Sequence, residues 1–89
     1  MVKHADYIKK FIEKLPGHLE KGNISRIISS LGDMHPADIA EVIRNISDDN
    51  AISIIRLLKE EIRSDVVAEL EQEEREKFKK KLTPEYFQK

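Results

Sequence analysis

Apolar residues recur every twelve positions between His35 and Leu82, which divides this part of the chain into four units. Each unit closes on Ile or Leu, and position eight of each unit is Val42, Ile54, Val66 or Phe78. Inside a unit the spacing is helical, so the pattern predicts a helix of about ten residues followed by a two-residue turn. Helices this short are marginal alone and persist by stacking on neighbours. The repeat therefore predicts an all-α protein, a superhelix of about six or seven short antiparallel helices similar to an armadillo or HEAT solenoid.

Polar residues mark where these helices are expected to begin. Pro36 suits the first helical position, where no backbone N–H is needed. Ser47 is the expected N-cap of the next helix, with Asp48 and Asp49 in its first turn, where the helix dipole favours negative charge. A fifth unit starts at Thr83 and breaks off after one turn.

The fourth unit, Glu71–Leu82, is the most polar of the four. Its strong core anchors are Phe78 and Leu82. Two pairs of opposite charge stand four residues apart and are predicted to contribute roughly 0.2–0.5 kcal/mol each. These pairs are Glu73–Lys77 and Glu76–Lys80. Because so little apolar surface holds this unit, we expect it to open before the others.

Two further helices are expected before the repeat. Apolar residues at helical spacing predict a first helix from Val2 to about Lys14, ended by Pro16-Gly17. Asn23 is a candidate N-cap for a second helix from Ile24 to about Leu31. The buried face of this second helix is expected to hold Ile24, Ile27, Ile28 and Leu31.

Composition indicates one domain, residues 1–89, and excludes several functions. The 16 basic and 17 acidic residues leave a net charge of −1, which argues against a nucleic-acid partner and hence against a helix-turn-helix DNA binder. The sequence has no cysteine for a disulfide, a thiolate zinc site or a catalytic thiol. No apolar run is long enough to cross a bilayer, so direct membrane insertion is not expected. It also has no Gly-rich phosphate loop, paired-histidine helix or nucleophile elbow, so no enzymatic activity is predicted.

The stretch His35–Ile43, HPADIAEVI, resembles the signature of the intracellular N-terminal domain of the MgtE family of magnesium transporters. The resemblance extends from about Leu19 through the twelve-residue units to Thr83. It implies a right-handed superhelix at the cytosolic face of the membrane, with CBS domains and a transmembrane domain as partners in a longer chain. It also implies a regulatory role, in which Mg2+ bound between acidic faces of the N-terminal and CBS domains holds the channel closed. The family domain usually has several more helices, so this copy is C-terminally short.

The resemblance places one metal ligand at Asp65. The family has an acidic ligand in a stretch that corresponds to Arg63–Val67, with Glu where this chain has the shorter Asp65. Mg2+ keeps several waters and is commonly held by one or two carboxylates, so the remaining ligands would come from outside this chain. We expect Mg2+ binding to be weak or absent in the isolated domain. On pattern alone, Asp65 is a solvated helix residue, and that interpretation stays open.

Other polar residues are expected to have structural roles first. Asp48-Asp49 and Glu60-Glu61 are charges at helix N-termini, with metal binding as the alternative. His35 is expected to serve as a capping or turn residue beside Pro36 rather than as a ligand. The lysines at the end of the fourth unit are a solvated helix end, with contact to acidic headgroups or a partner as the alternative. They are Lys77, Lys79, Lys80 and Lys81.

A second hypothesis from a different class is a free-standing FliG-like helical-repeat adaptor that binds another protein through its concave face. Phe78, Tyr86 and Phe87 are expected to be packing residues, but if exposed they would favour self-association, so a homodimer is one candidate state. A reading frame that continues past Lys89 into CBS and membrane segments would favour the transporter domain, and a natural stop there would favour the adaptor.

Overall fold

Six helices follow one another along residues 4–82, the part of the chain that the computed structural model describes. They are α1 (His4–Lys21), α2 (Ile24–Gly32), α3 (Pro36–Arg44), α4 (Asp48–Leu57), α5 (Glu60–Glu69) and α6 (Gln72–Lys79). No strand occurs among these residues, which confirms the all-α class. The helix starts expected at Val2 and Thr83, and the aromatic residues Tyr86 and Phe87, lie outside the described residues.

The twelve-residue repeat determines where the last four helices begin. The N-cap of each helix from α3 to α6 is the first residue of a unit: His35, Ser47, Lys59 and Glu71. All four have extended backbone, with φ between −78° and −65° and ψ between 150° and 158°. Ser47 Oγ accepts a hydrogen bond from the Asn50 N–H at 3.2 Å, as expected of a Ser N-cap. The sequence repeat is therefore also a repeat of backbone conformation.

Position eight of the repeat forms the centre of the core. Val42, Ile54 and Val66 are fully buried and Phe78 is 2% exposed. The most extensive helix contact is between α3 and α5, which are two units apart, and α3 also contacts α4 and α1. The apolar residues that close the second to fourth units, Leu58, Leu70 and Leu82, join the same cluster. The helix α3 thus lies at the middle of the domain, with neighbours on three sides.

The first helix is longer than the sequence pattern predicted. It continues through Pro16-Gly17 to Lys21, so the break expected at that dipeptide is wrong. A proline inside a helix removes one hydrogen bond and costs about 3 kcal/mol. Here Leu15 is fully buried and Leu19, beyond the proline, packs partly buried on the same core. Full burial of a leucine side chain stabilises by about 1.5–3 kcal/mol, so the partial burial of Leu19 offsets part of the cost of Pro16.

Gly22 is where α1 ends. Its φ of 74° is in the left-handed region that glycine adopts without strain. The Gly22 N–H donates to the Leu19 carbonyl at 3.2 Å and the Asn23 N–H donates to the His18 carbonyl at 2.8 Å. This pair of bonds is the Schellman motif. Asn23 therefore acts through its backbone, and the side-chain cap predicted for it does not form.

The buried face of α2 is narrower than predicted. Ile27 is fully buried and Leu31 is 4% exposed, but Ile24 and Ile28 are 37% and 44% exposed. The helix is nine residues long and packs mainly against α1 at the edge of the domain. A neighbour on one side covers only one stripe of a helix, so two of its four expected core residues are left facing outward.

The last helix is short and is held by its two predicted anchors. α6 ends at Lys79 after 8 residues, where the repeat predicted about ten, and the N–H groups of Lys81 and Leu82 both donate to the Phe78 carbonyl at 3.0 Å. Phe78 and Leu82 are buried, at 2% and 5% exposure, as the pattern predicted.

Candidate functional site

Asp65 lies on an acidic row along the outer flank of α5. It is exposed, and so are Glu61 and Glu69, one turn before it and one turn after it. Residues four apart on a helix are neighbours on its surface, so the three carboxylates line one flank. The opposite side of α5 is fixed in the core by Val66 and Leu70, at 0% and 3% exposure. The packing of α5 therefore points this acidic flank away from the domain.

The acidic flank of α5 has the right donors for Mg2+ but is incomplete as a metal site. Carboxylate oxygens are ligands that Mg2+ accepts, and it retains water at its other positions. Within residues 4–82, no group of three or more His, Cys, Asp or Glu side chains is arranged to hold a metal ion. The Asp65 ligand therefore stays a prediction, and it still requires oxygen ligands from another domain or chain.

The HPADIAE motif builds the start and the core face of α3. His35 is the N-cap residue, and its N–H donates to Asp38 Oδ2 at 3.2 Å. Pro36 is the first helical residue, as predicted. Ile39 and Ala40 are fully buried. His35 thus has the capping position expected of it, and much of the motif is explained by the folding of α3.

Two acidic residues of the motif also line a groove between α1 and α3. Its walls include Asp38 and Glu41 from α3, Glu13 from α1, and the apolar side chains of Ile8 and Ile12. Glu41 is held in place by its own helix, because its Oε2 accepts from Asn45 Nδ2 at 3.1 Å. The sequence pattern did not indicate this groove, since the residues of its two walls lie more than twenty positions apart in the chain.

Arg44 joins three helices and was not singled out in the sequence. From the end of α3, its Nε donates to Glu74 Oε2 of α6 at 3.0 Å and its Nη2 donates to the Glu69 carbonyl of α5 at 2.9 Å. The second bond satisfies a carbonyl group at a helix C-terminus, where no intrahelical donor is available. Arg56 has the same repeat position and is exposed, so the repeat gave no signal for this role.

The Arg44–Glu74 contact shifts the pKa of both side chains. The hydrogen bond to Glu74 raises the pKa of Arg44. Burial would by itself raise the pKa of Glu74, but the hydrogen bond from the Glu71 N–H at 2.8 Å, together with Arg44, outweighs it and lowers the pKa. Glu74 is therefore an ionised residue that caps α6 and binds α3 at the same time.

The ion pairs of α6 differ from those predicted by sequence spacing. Lys77 Nζ lies 3.2 Å from Asp48 Oδ1 at the start of α4, where pairing with Glu73 was expected. Lys79 Nζ lies 3.8 Å from Glu76 Oε2, in place of the expected Glu76–Lys80 pair. Lys77 thus pairs with a carboxylate in the first turn of α4, where the helix dipole also favours negative charge. Asp48 is thus partnered within the domain.

Comparison with known proteins assigns the chain to a family. The family model of the MgtE intracellular N domain matches residues 34–89, more than half of the chain, so the chain belongs to this family. The members of this family are domains of transporters, and the family is not a known catalytic family. No curated protein and no solved structure matches the chain. Helices α1 and α2 precede the matched residues. Across residues 4–82, none of the helices is both long enough and apolar enough to cross a bilayer.

Proposed function

We propose that this chain is a non-catalytic, cytosolic regulatory domain of an MgtE-type magnesium transporter, and that Mg2+ controls its contact with a neighbouring domain. The observation that carries the proposal is the family match over residues 34–89. The exposed acidic flank of α5 supports it, because Glu61, Asp65 and Glu69 provide carboxylates on a surface that no other part of the described domain covers. The partners would be CBS domains and a transmembrane domain.

The proposed Mg2+ control depends on the negative charge of the two surfaces that would meet. Two acidic surfaces repel when they approach each other, and the repulsion grows as water is excluded between them. A divalent cation held between them, with Asp65 as one ligand, would replace the repulsion by attraction. The contact would form at high Mg2+ and separate at low Mg2+. At a free concentration about ten times the Kd, linkage supplies about 1.4 kcal/mol, enough to shift a balanced equilibrium roughly tenfold.

The arrangement proposed for the whole domain is a right-handed superhelix of stacked hairpins. Its support is the packing of α3 on α5, since contact between every second helix is what stacking of two-helix units requires. In such a stack α5 presents one flank outward, and a following domain would meet that flank. The handedness comes from the family resemblance alone.

The test is Mg2+-dependent association of this chain with a separately expressed CBS-domain pair of an MgtE transporter, measured by isothermal titration calorimetry. We expect association with Mg2+ in the millimolar range and none after chelation with EDTA. Asp65→Asn should weaken it at least tenfold. The matched control is Glu20→Gln, an exposed carboxylate of α1 that is outside the acidic flank and should leave the affinity unchanged. Association that is equally strong with and without Mg2+ would refute Mg2+ control and favour the adaptor hypothesis.

A further inference from the structure

The groove between α1 and α2 has positive charge on both sides and an aromatic floor. Lys10 and Lys14 stand one turn apart on α1, and Arg26 faces them from α2. Tyr7 and Phe11 form the apolar part of the lining. No Asp or Glu residue lines this groove. It differs in this respect from the groove between α1 and α3, which has three carboxylates on its walls.

The charges of this groove are not neutralised inside the domain. Among residues 4–82, the ion pairs join other residues, and none involves Lys10, Lys14 or Arg26. Sequence spacing places Asp6 four residues before Lys10, yet no ion pair forms between them. Three like charges beside one another on a surface repel, and an anionic ligand would relieve that repulsion.

The walls of the groove are fixed relative to each other before any ligand arrives. The Tyr7 hydroxyl donates to the Ser30 carbonyl at 3.3 Å, which links α1 to α2 at one end. Near the other end, Asn23 Nδ2 and His18 Nδ1 lie 3.3 Å apart. The Schellman motif at Gly22 fixes the turn that joins the two helices. A site formed in advance loses less conformational entropy on binding.

We propose that the groove between α1 and α2 binds an acidic segment of a partner protein. Carboxylates of the segment, spaced by about one helical turn or by two residues of extended chain, would pair with Lys10 and Lys14. An apolar side chain between them would rest on Tyr7 and Phe11. The groove lies before residue 34, where the family match begins, so the proposal does not depend on the Mg2+-regulated contact of α5.

An acidic protein segment fits better than a nucleic acid. The chain as a whole has a net charge of −1, and the flank of α5 is acidic, so an extended polyanion would be repelled outside the groove. A short acidic segment with an apolar residue matches both the charge and the aromatic floor. The two lysines of α1 span only about one turn, roughly 6 Å along the helix, which suits a short segment.

The experiment is fluorescence anisotropy with a fluorescein-labelled peptide of about ten glutamates interrupted by two phenylalanines, titrated with the 89-residue chain. We expect saturable binding that weakens as NaCl is raised from about 50 to 300 mM, because the pairing charges are partly solvated. An all-glutamate peptide should bind several-fold more weakly. A single-stranded oligonucleotide of the same charge should compete poorly, and strong competition by it would overturn the assignment to a protein segment.

Two double variants distinguish peptide binding in the groove from a general effect of the protein's net charge. Lys10→Glu with Lys14→Glu should reduce the affinity at least tenfold. The control, Lys80→Glu with Lys81→Glu, changes the net charge by the same amount. These two lysines are exposed just after α6, so the control should change the affinity less than twofold. Equal losses in both variants would overturn the proposal, as would peptide binding that is not saturable.

A further variant blocks the groove without removing a lysine. Ser29 is exposed and lines the groove, so Ser29→Glu should fold normally, shown by an unchanged circular dichroism spectrum, and should still lose at least fivefold in affinity. Unchanged affinity in Ser29→Glu would contradict the proposal. Dimerisation of the chain that the peptide displaces, seen by analytical ultracentrifugation, would also overturn it, because the occupant would then be a second copy.

Discussion

Arg44→Met tests whether one arginine joins α3, α5 and α6. Methionine keeps much of the aliphatic length of arginine and removes the charge and every hydrogen bond. The variant therefore loses the contacts of Arg44 with Glu74 Oε2 at 3.0 Å and with the Glu69 carbonyl at 2.9 Å, together with a longer ion pair to the exposed Glu41 at 3.7 Å. The partner variant, Glu74→Gln, loses the charge but keeps an oxygen that can accept from the Glu71 N–H at the start of α6.

The expected loss of unfolding free energy depends on how exposed the side chains of Arg44 and Glu74 are. Arg44 is 33% exposed and Glu74 is 21% exposed, so solvent screening reduces their interaction to about 0.5–1 kcal/mol. The bond to the Glu69 carbonyl adds about 0.5–1.5 kcal/mol. We expect Arg44→Met to lower the free energy of unfolding by about 1–2.5 kcal/mol. For a domain of this size that corresponds to a decrease in Tm of about 5–15 °C.

The assay is urea denaturation of the wild type, both single variants and the double variant, at neutral pH. The coupling energy from the cycle should be about 0.5–1 kcal/mol. The control is Arg56→Met, an exposed arginine at the same repeat position, whose effect should stay within about 0.5 kcal/mol. A zero coupling energy, or equal effects of the two arginine variants, would refute the role given to Arg44.

The same pair gives a pH dependence with a defined sign. The pKa of Glu74 is lowered in the folded state, since the Glu71 N–H and Arg44 outweigh the effect of burial, so ionised Glu74 favours folding. Its contribution is complete above the ordinary pKa of glutamate, about 4.5, and is lost as the pH falls through the folded-state value. The stability advantage of wild type over Glu74→Gln should thus be constant from about pH 7 to 5.5 and disappear in acid. An advantage that persists at about pH 2 would contradict this account.

Three further predictions concern the helices themselves. Ile27→Ala should cost about 2–5 kcal/mol in unfolding free energy, and Ile28→Ala less than about 1 kcal/mol, because Ile27 is fully buried and Ile28 is 44% exposed; equal costs would contradict that packing. Thermal denaturation should show Gly22→Ala destabilised by about 1 kcal/mol, owing to its φ of 74°, and Gly17→Ala stabilised by about 0.5–1 kcal/mol inside α1. Amide hydrogen exchange should be faster in α6 than in α3, and the reverse order would refute the prediction that α6 opens first.

The fold was predictable from the sequence wherever the pattern is periodic. The units beginning at His35, Ser47, Lys59 and Glu71 each yielded a helix whose N-cap is the first residue of the unit. The prediction failed where one local rule competed with burial. Pro16 is a helix breaker by local rules, yet α1 continues past it, and Leu19 beyond the proline packs on the core.

The candidate sites, too, were predictable from the sequence only in part. Asp65 was named from the resemblance, and its place on an exposed helix flank agrees with the sequence pattern, while its role as a ligand stays a prediction. The role of Arg44 and the pairing of Lys77 with Asp48 were not predictable, because both join residues about thirty positions apart. Of the two charge pairs predicted from spacing along α6, Glu73–Lys77 gave way to a carboxylate of α4, and Glu76–Lys80 gave way to the pair Glu76–Lys79 within the same helix.

The sequence by itself determined the helical class, the twelve-residue spacing of helix starts and the residues at the centre of the core. Each of these depends on apolar periodicity and N-cap chemistry, which act over a few residues. Only the tertiary structure decided that α1 runs through Pro16, that Ile24 and Ile28 face outward, and that Lys10, Lys14 and Arg26 share one groove. These features depend on which helix covers which face, and that choice is made by packing between segments far apart in the chain.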